Sequence, residues 1–282
     1  MKKYWILSLG IALIITSCQN NNNVEPNEKN NYEKTSETTD DSQEYRALTL
    51  PTPMQMATLF KSYEFKYDPS LYTPIHEKIY TSKYQRAMAA GFYSTDLGYA
   101  IANNSGNNAA KYYKYLLDVY QQLGFSRSSD FVLQQKNQET KSDSIKSKFL
   151  ELYNEMHKEI LDYEQEEVGF YLLSGCFLES MCLYIHHYKN QNNPSRAKIF
   201  NTALSQQVVF LDNLLEINDH INKTEEESKQ LTNILIQIAE KMEAFPVVWT
   251  DEKLYIETMP TTEYLQSIDD IITNYKSSIV EK

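Results

Sequence analysis

The chain has 282 residues, 41% of them hydrophobic, and a formal net charge of −11 at pH 7. An acidic chain without a basic run is a poor ligand for nucleic acid or anionic lipid headgroups, which argues against DNA and RNA binding. Only 7 glycines occur, and so few turn formers favour long helices over a many-stranded sandwich.

The first 17 residues have the organisation of a secretory signal peptide. Two lysines precede an apolar run, Tyr4 to Ile15, which is shorter than the roughly 20 residues that a membrane-spanning helix needs. Residues 15–18, Ile-Thr-Ser-Cys, resemble the bacterial lipobox. The resemblance implies that Cys18 begins the mature protein and carries acyl chains such as palmitate. A non-lipidated signal peptide with an incidental cysteine is the alternative.

The residues after Cys18 bear on the location of the protein. By the sorting rule of lipoproteins in enteric bacteria, Asp after the cysteine favours retention in the inner membrane, and this chain has Gln19. By that resemblance we expect attachment to the outer membrane. Some lipoproteins carry an acidic export tag just after the cysteine, but here the first acid is Glu25. Both the periplasmic face and the cell surface therefore remain open.

The mature chain divides into a tether and a folded part. Residues 18–46 are rich in Asn, Glu, Thr, Ser and Asp and have almost no apolar residues. Such a segment does not bury enough surface to offset its ordering entropy, so we predict a disordered polar tether. The remaining residues, 47–282, are enough for one helical domain.

Helix signals recur along this domain. Apolar residues at helical spacing follow each start signal and predict an all-α bundle of about eight helices. The predicted starts are Thr52-Pro53, Thr73-Pro74, Ser142 or Asp143, Asn193-Pro194, Thr224 and Thr261 or Thr262. The Thr73-Pro74 helix is expected to reach Ala102, and Gly124 should end the helix after it. A short hairpin should pair residues 247–249 with 254–256.

One segment, Val168 to Tyr188, differs from the amphipathic ones. Glu179 is its only Asp, Glu, Lys or Arg residue, and nearly every face is apolar. Its length would allow a membrane span, but a mid-segment glutamate and a separate lipid anchor favour a central helix surrounded by the others. Cys176 and Cys182 lie too far apart on this helix for a disulfide.

Two acids lie among apolar residues and mark the candidate site. Asp96 follows Tyr93 and precedes Tyr99 on one predicted helix, and Glu179 lies in the central one. An unpaired buried carboxylate is costly, so each acid needs a partner. We expect the two acids on neighbouring helices, with tyrosine hydroxyls as donors and Arg86 as the nearest cation.

Small residues should allow those helices to approach closely. The expected positions are Gly91, Gly98, Gly169 and Gly175. The acids then form either a polar network that fixes helix register or a pocket that contacts a ligand.

The two acid-bearing segments also carry a family resemblance. Residues 91–99 read GFYSTDLGY and residues 175–179 read GCFLE. With the lipobox and the tether, these motifs resemble helical lipoproteins of Bacteroidota, a group whose activity is uncharacterised. In that group the first glycine is expected one place later. The resemblance implies no activity.

Motifs for catalysis and metal binding are missing from the sequence. None of the 5 histidines belongs to a Glu-x-x-His or His-x-x-x-His pair, which leaves di-iron and zincin sites without ligands. No haem-attachment motif and no serine-nucleophile elbow occur. We therefore expect no metal and no cofactor.

The function that these features favour is a lipid-anchored, non-catalytic binding or interaction module of the cell envelope. Its partners would be the membrane, through the lipid, and an unknown envelope protein or small ligand. The first alternative is a small-solute or glycan binder with a pocket lined by tyrosines and carboxylates. The second is an enzyme that uses Asp96 and Glu179 as acid and base. A pocket around Asp96 would favour the solute binder, and an exposed apolar patch would favour a protein partner.

Overall fold

Helices and one small hairpin account for nearly all of the described chain. The computed structural model describes residues 53–62, 67–75, 80–124, 144–162, 165–190, 197–221, 226–245, 247–249, 254–256, 258 and 260–280. The α-helices in these ranges are α1 Pro53–Ser62, α2 Lys83–Ala102, α3 Gly106–Leu123, α4 Ile145–Asp162, α5 Glu166–Lys189, α6 Ala197–His220, α7 Glu226–Met242 and α8 Thr262–Val280. The predicted all-α bundle of about eight helices is confirmed within them.

Several predicted helix ends are also confirmed. Helix α1 begins at Pro53, and Gly124 ends α3 in the left-handed conformation, with φ of 80°. Helix α8 begins at Thr262, where the side chain of Thr261 accepts a hydrogen bond from the Tyr264 N–H at 3.2 Å. These ends follow from local chemistry, because proline suits the first helical position and glycine tolerates a positive φ.

The predicted start of the second helix is wrong. Helix α2 begins at Lys83, after Ser82, whose hydroxyl caps the N–H of Gln85 at 3.1 Å. Residues 73–75 have no regular secondary structure, although a 3₁₀ turn, Pro69–Leu71, lies just before them. The Thr73 N–H bonds to Asp96 instead of entering a helix. The end at Ala102 is as predicted.

The central helix is α5, as its sequence predicts. By length and composition α5 is able to cross a membrane, but most of its residues are buried inside the bundle. Its extensive contact with α2 joins the two helices on which the candidate acids lie. The described thiols of Cys176 and Cys182 are free, in agreement with their spacing.

Helices α2 and α5 run parallel and cross at two glycines. The contacts progress in the same direction along both, from Tyr84 with Tyr171 to Tyr99 with His187. A Cβ on Gly91 would lie 2.2 Å from the carbonyl oxygen of Leu172, and one on Gly175 would lie 2.5 Å from that of Met88. The expected close approach is therefore found at these two glycines.

Helix α8 packs antiparallel against α5. Near its start, the Tyr188 hydroxyl donates to the Pro260 carbonyl at 3.0 Å, and near its end Lys276 reaches Glu179. Before α8, strands β1 Val247–Trp249 and β2 Leu254–Ile256 form the predicted hairpin, with Val247 opposite Ile256. This course brings a third charged residue to the α2–α5 crossing.

Some predictions concern residues outside the described ranges. These are the signal peptide, Cys18, the tether, and the helix starts at Ser142 or Asp143, Asn193-Pro194 and Thr224. All described residues fall within one compact unit, Asp40–Lys282. The proposed boundaries at residues 17 and 46 stay predictions.

Candidate functional site

Asp96, Glu179 and Lys276 meet in the interior of the bundle and form what we call the charged cluster. The side chains of Asp96 and Glu179 are fully buried, on the packed helices α2 and α5. Lys276 comes from α8, and its ammonium bonds to the Glu179 carboxylate. The structure therefore brings the two sequence-predicted acids together and adds a cation.

Lys276 is anchored by both charge and aromatic contact. Its side chain is 14% exposed, so it is the member of the cluster nearest to solvent. The ammonium also lies 5.7 Å from the centre of the Phe92 ring, within the range of a cation–π interaction. Burial works to lower the pKa of Lys276, but nearby acidic groups, of which Glu179 and then Asp96 have the largest effects, together raise that pKa above its usual value.

The proton affinity of Asp96 is increased by its surroundings. Burial is the largest cause, and the neighbouring Glu179 charge adds to it, so the pKa of Asp96 lies well above its ordinary value. Lys276 and the close contact with Thr73 oppose this shift only in part. When Asp96 holds a proton, the charges of the Glu179 carboxylate and the Lys276 ammonium cancel, and the charged cluster has no net charge.

Residues 72–75 pass over Asp96, and we call this segment the strap. The Thr73 N–H donates to Asp96 Oδ2 at 2.9 Å, and the Tyr112 hydroxyl donates to the Thr73 carbonyl at 2.7 Å. The Tyr93 hydroxyl donates to the Pro74 carbonyl at 3.1 Å. Thr73 is buried while Pro74 is exposed, so the strap lies between Asp96 and solvent.

Three oxygens in this region have no hydrogen-bond partner among the described residues. They are Asp96 Oδ1, Glu179 Oε1 and Thr73 Oγ1, and all three are buried. A buried polar atom without a partner costs about 1–3 kcal/mol. Both carboxylates and the strap therefore have oxygens that are able to accept further hydrogen bonds.

The two predicted tyrosines have different places. Tyr93 contacts the strap, and its hydroxyl is also 3.2 Å from that of Tyr80. Tyr99 is not a donor to Asp96: its hydroxyl lies 3.0 Å from His187 Nε2 and accepts the Asp68 N–H at 3.0 Å. Burial raises the pKa of Tyr99 to about 12.

Arg86 is not the cation beside the acids. Its Nε donates to the Tyr80 carbonyl at 3.0 Å. Lys276 takes that place, and its sequence position contained the signal, because it follows Ile272 by four residues and precedes Ile279 by three. These spacings put Lys276 on the buried face of α8. No comparable pattern in the sequence indicated that Thr73 of the strap would contact Asp96.

A pocket around Asp96 would favour the solute binder, but the depression that the structure shows lies elsewhere. An open depression of about 370 Å³ lies along α4, lined by Glu151, Asn154, Glu155, His157 and Lys158. It shares no residue with the charged cluster. Among the described residues, no group of three or more His, Cys, Asp or Glu side chains is placed to hold a metal ion.

Comparison of the chain with known proteins gives no match to a protein-family model, a curated protein or a solved structure. The charged cluster is therefore the feature from which a function is inferred. It holds two carboxyl groups in different bonding situations, one pairing with Lys276 and one holding the strap.

Proposed function

We propose that the chain is a lipid-anchored, non-catalytic binding module of the bacterial cell envelope, attached to the outer membrane through Cys18. The lipobox-like residues 15–18 and the polar residues 18–46 support the anchor and the tether. Palmitate and other acyl chains together bind a membrane far more firmly than a single chain does. The negative net charge of −11 makes binding to nucleic acid unfavourable.

The observation that carries the non-catalytic part is the closure of the charged cluster. A general acid or base has to come within hydrogen-bonding distance of the group that it protonates or deprotonates. Here Asp96 and Glu179 are fully buried, Glu179 is bonded to Lys276, and Asp96 is bonded to the strap. These contacts favour a role in binding and stability over acid–base turnover.

The described part of the surface does not indicate a large apolar interface. Ile236, at 41% exposure, is the one large hydrophobic residue classed as exposed among the described positions. A broad apolar docking face would need many such residues. The depression along α4 has no Tyr, Phe or Trp against which a sugar ring would stack.

A small ligand is therefore the second candidate, and one observation favours it. The unpartnered oxygens of Asp96, Glu179 and Thr73 are capable of accepting hydrogen bonds that the closed protein does not supply. A solute with several N–H or O–H groups would satisfy them. A glycan at this place has less support, because the strap covers Asp96 and both carboxylates are fully buried.

The anchor is tested by labelling cells with an alkyne analogue of palmitate in a Gram-negative host. We expect label on the wild-type chain, no label on Cys18→Ser, and full label on Cys182→Ser, which removes a cysteine from the helical domain. Label on Cys18→Ser would contradict the proposal. Flotation of the outer-membrane fraction then gives the location, and protease treatment of intact cells distinguishes the surface from the periplasmic face.

A further inference from the structure

The strap is held through its backbone. Asp96 accepts an N–H, and Tyr112 and Tyr93 each donate to a carbonyl, so three side chains of α2 and α3 bind peptide groups. The Thr73 hydroxyl has no partner among the described residues. The surface beneath the strap is therefore complementary to a donor nitrogen followed by a carbonyl, whatever side chain accompanies them.

The strap satisfies only some of the hydrogen-bond acceptors of that surface. It supplies one N–H, to Asp96 Oδ2, while Asp96 Oδ1 and Glu179 Oε1 remain without donors among the described residues. Both carboxylates are fully buried, so bulk water does not satisfy these oxygens. A group with three N–H donors at the position of the Thr73 nitrogen would keep the bond to Asp96 Oδ2 and bring two further donors to this buried region.

The charges of the cluster indicate the sign of such a group. Two carboxyl groups face one ammonium, that of Lys276. The cluster is neutral when Asp96 keeps a proton, and burial together with Glu179 raises the pKa of Asp96 in that direction. A second cation would have the same effect as that proton, and a primary ammonium combines a positive charge with three N–H donors.

We propose that Asp96 and Glu179, together with Tyr112, form a binding site for a primary ammonium next to a carbonyl, as in the amino-terminal residue of a peptide, and that the strap occupies this site in the resting protein. The ammonium donates to Asp96 and Glu179, and the carbonyl accepts from the Tyr112 hydroxyl in place of the Thr73 carbonyl. This inference rests on the proposed binding function and names the ligand class.

Binding then has two consequences. The strap moves away from Asp96, so the Thr73 N–H loses its acceptor. Asp96 releases its proton to solvent when the ammonium arrives, and the charge of the cluster is conserved. Both consequences are specific to this site, because an ammonium bound elsewhere on the acidic surface changes neither.

The probe is glycinamide, a small molecule with an ammonium next to an amide carbonyl. The two controls are N-acetylglycinamide, which has no charge, and methylammonium, which has no carbonyl. Calorimetry on the full chain in detergent should show that glycinamide binds, that methylammonium binds more weakly, and that N-acetylglycinamide does not bind. Titration in two buffers of different ionisation enthalpy should show proton release. Amide hydrogen exchange at Thr73 should become faster with glycinamide.

Variants assign the effect to the cluster. Glu179→Gln should weaken glycinamide binding by about tenfold or more, because a buried charge partner is lost. Glu167→Gln changes the charge of the same helix at a partly exposed position and should leave binding unchanged. Circular dichroism checks that both variants fold, and the Thr73 exchange measurement needs no variant.

Three results would overturn the inference: no binding of glycinamide, binding that leaves Thr73 exchange unchanged, or equal effects of Glu179→Gln and Glu167→Gln. Equal affinity for methylammonium would remove Tyr112 from the site. Palmitate labelling of Cys18 is measured on the same preparation. A lipidated chain that ignores glycinamide would contradict the ligand and leave the anchored module intact.

Discussion

Lys276 in α8 donates a charge-assisted hydrogen bond to Glu179 in α5, a residue 97 positions earlier in the chain. This contact joins the last helix to the central one at the level where α2 contributes Asp96. The ammonium compensates carboxyl groups that would otherwise be buried without a counter-charge. The charged cluster therefore links the stability of the bundle to the state of the strap above it.

Removing the cation should destabilise the fold strongly. Lys276→Met leaves Glu179 buried without its partner, and loss of one member of a buried ion pair costs about 3–5 kcal/mol. The free energy of unfolding is measured in urea. Lys229→Met is the matched control, because Lys229 pairs with Glu226 on the surface and such pairs contribute at most about 1 kcal/mol.

The same urea experiment offers a second check. Adding Glu179→Gln to Lys276→Met removes the uncompensated charge and should recover part of the lost stability. Equal losses for Lys276→Met and Lys229→Met would show that the cluster does not hold a buried charge pair.

Asp96→Asn should change how stability depends on pH. The pKa of Asp96 is raised in the folded protein, so the folded state binds this proton more tightly than the unfolded state does. The stabilising effect of this proton is complete below the unfolded pKa of about 3.9. As pH rises from there toward the folded pKa, the free energy of unfolding falls by about 1.4 kcal/mol per pH unit. Asn has no such proton to lose.

The comparison is made by thermal or urea unfolding of both proteins from pH 4 to pH 8. Wild type should lose stability relative to Asp96→Asn as pH rises, and the difference between the two proteins isolates this residue from other titrating groups. A difference that is constant with pH, or that moves in the opposite direction, would contradict a raised pKa for Asp96.

Local signals predicted the helices better than they predicted the site. Pro53 and Gly124 act through their own backbone preferences, so their positions in sequence were sufficient. Thr73-Pro74 carries an equally good local signal, yet the Thr73 N–H bonds to Asp96, 23 residues away. A contact at that separation depends on how α2 and α3 pack, and one sequence does not contain that information in local form.

The pairing of the acids was partly predictable for a similar reason. The apolar surroundings of Asp96 and Glu179 required partners, and glycines on the same helices suggested close packing. Which helix would supply the cation depended on the antiparallel course of α8 along α5. Tyr99 shows the same limit, because its neighbour His187 comes from a different helix.

Alanine at the α2–α5 crossing should force the helices apart. A Cβ on Gly91 would lie 2.2 Å from a backbone oxygen that has little freedom to move. Overpacking of this kind costs about 1–3 kcal/mol or more. Gly169→Ala is the control, because its Cβ would meet the Ile160 side chain at 3.1 Å and the substitution gains up to about 1 kcal/mol of helix propensity.

Unfolding in urea should therefore rank Gly91→Ala as clearly destabilised and Gly169→Ala as close to wild type. Glycinamide binding in Gly91→Ala should also weaken, since the distance between Asp96 and Glu179 depends on this crossing. A stable Gly91→Ala with unchanged binding would mean that the glycine contact does not set the geometry of the cluster.

Tyr99→Phe should loosen the segment that leads into the strap. The Tyr99 hydroxyl accepts the Asp68 N–H, and Asp68 also lies 3.3 Å from His186 through its carboxylate. Without that hydroxyl the Asp68 N–H loses its acceptor, at a cost of about 1 kcal/mol for a partly buried group. Amide exchange at Asp68 should become faster, and exchange at Thr73 should follow because the two residues lie in the same short segment.

Tyr264→Phe is the matched control for Tyr99→Phe. It removes a hydroxyl near the start of α8 that donates to the Lys241 carbonyl in α7. It should cost similar stability and leave exchange at both residues unchanged; accelerated exchange in both variants would mean that Tyr99 acts only through global stability.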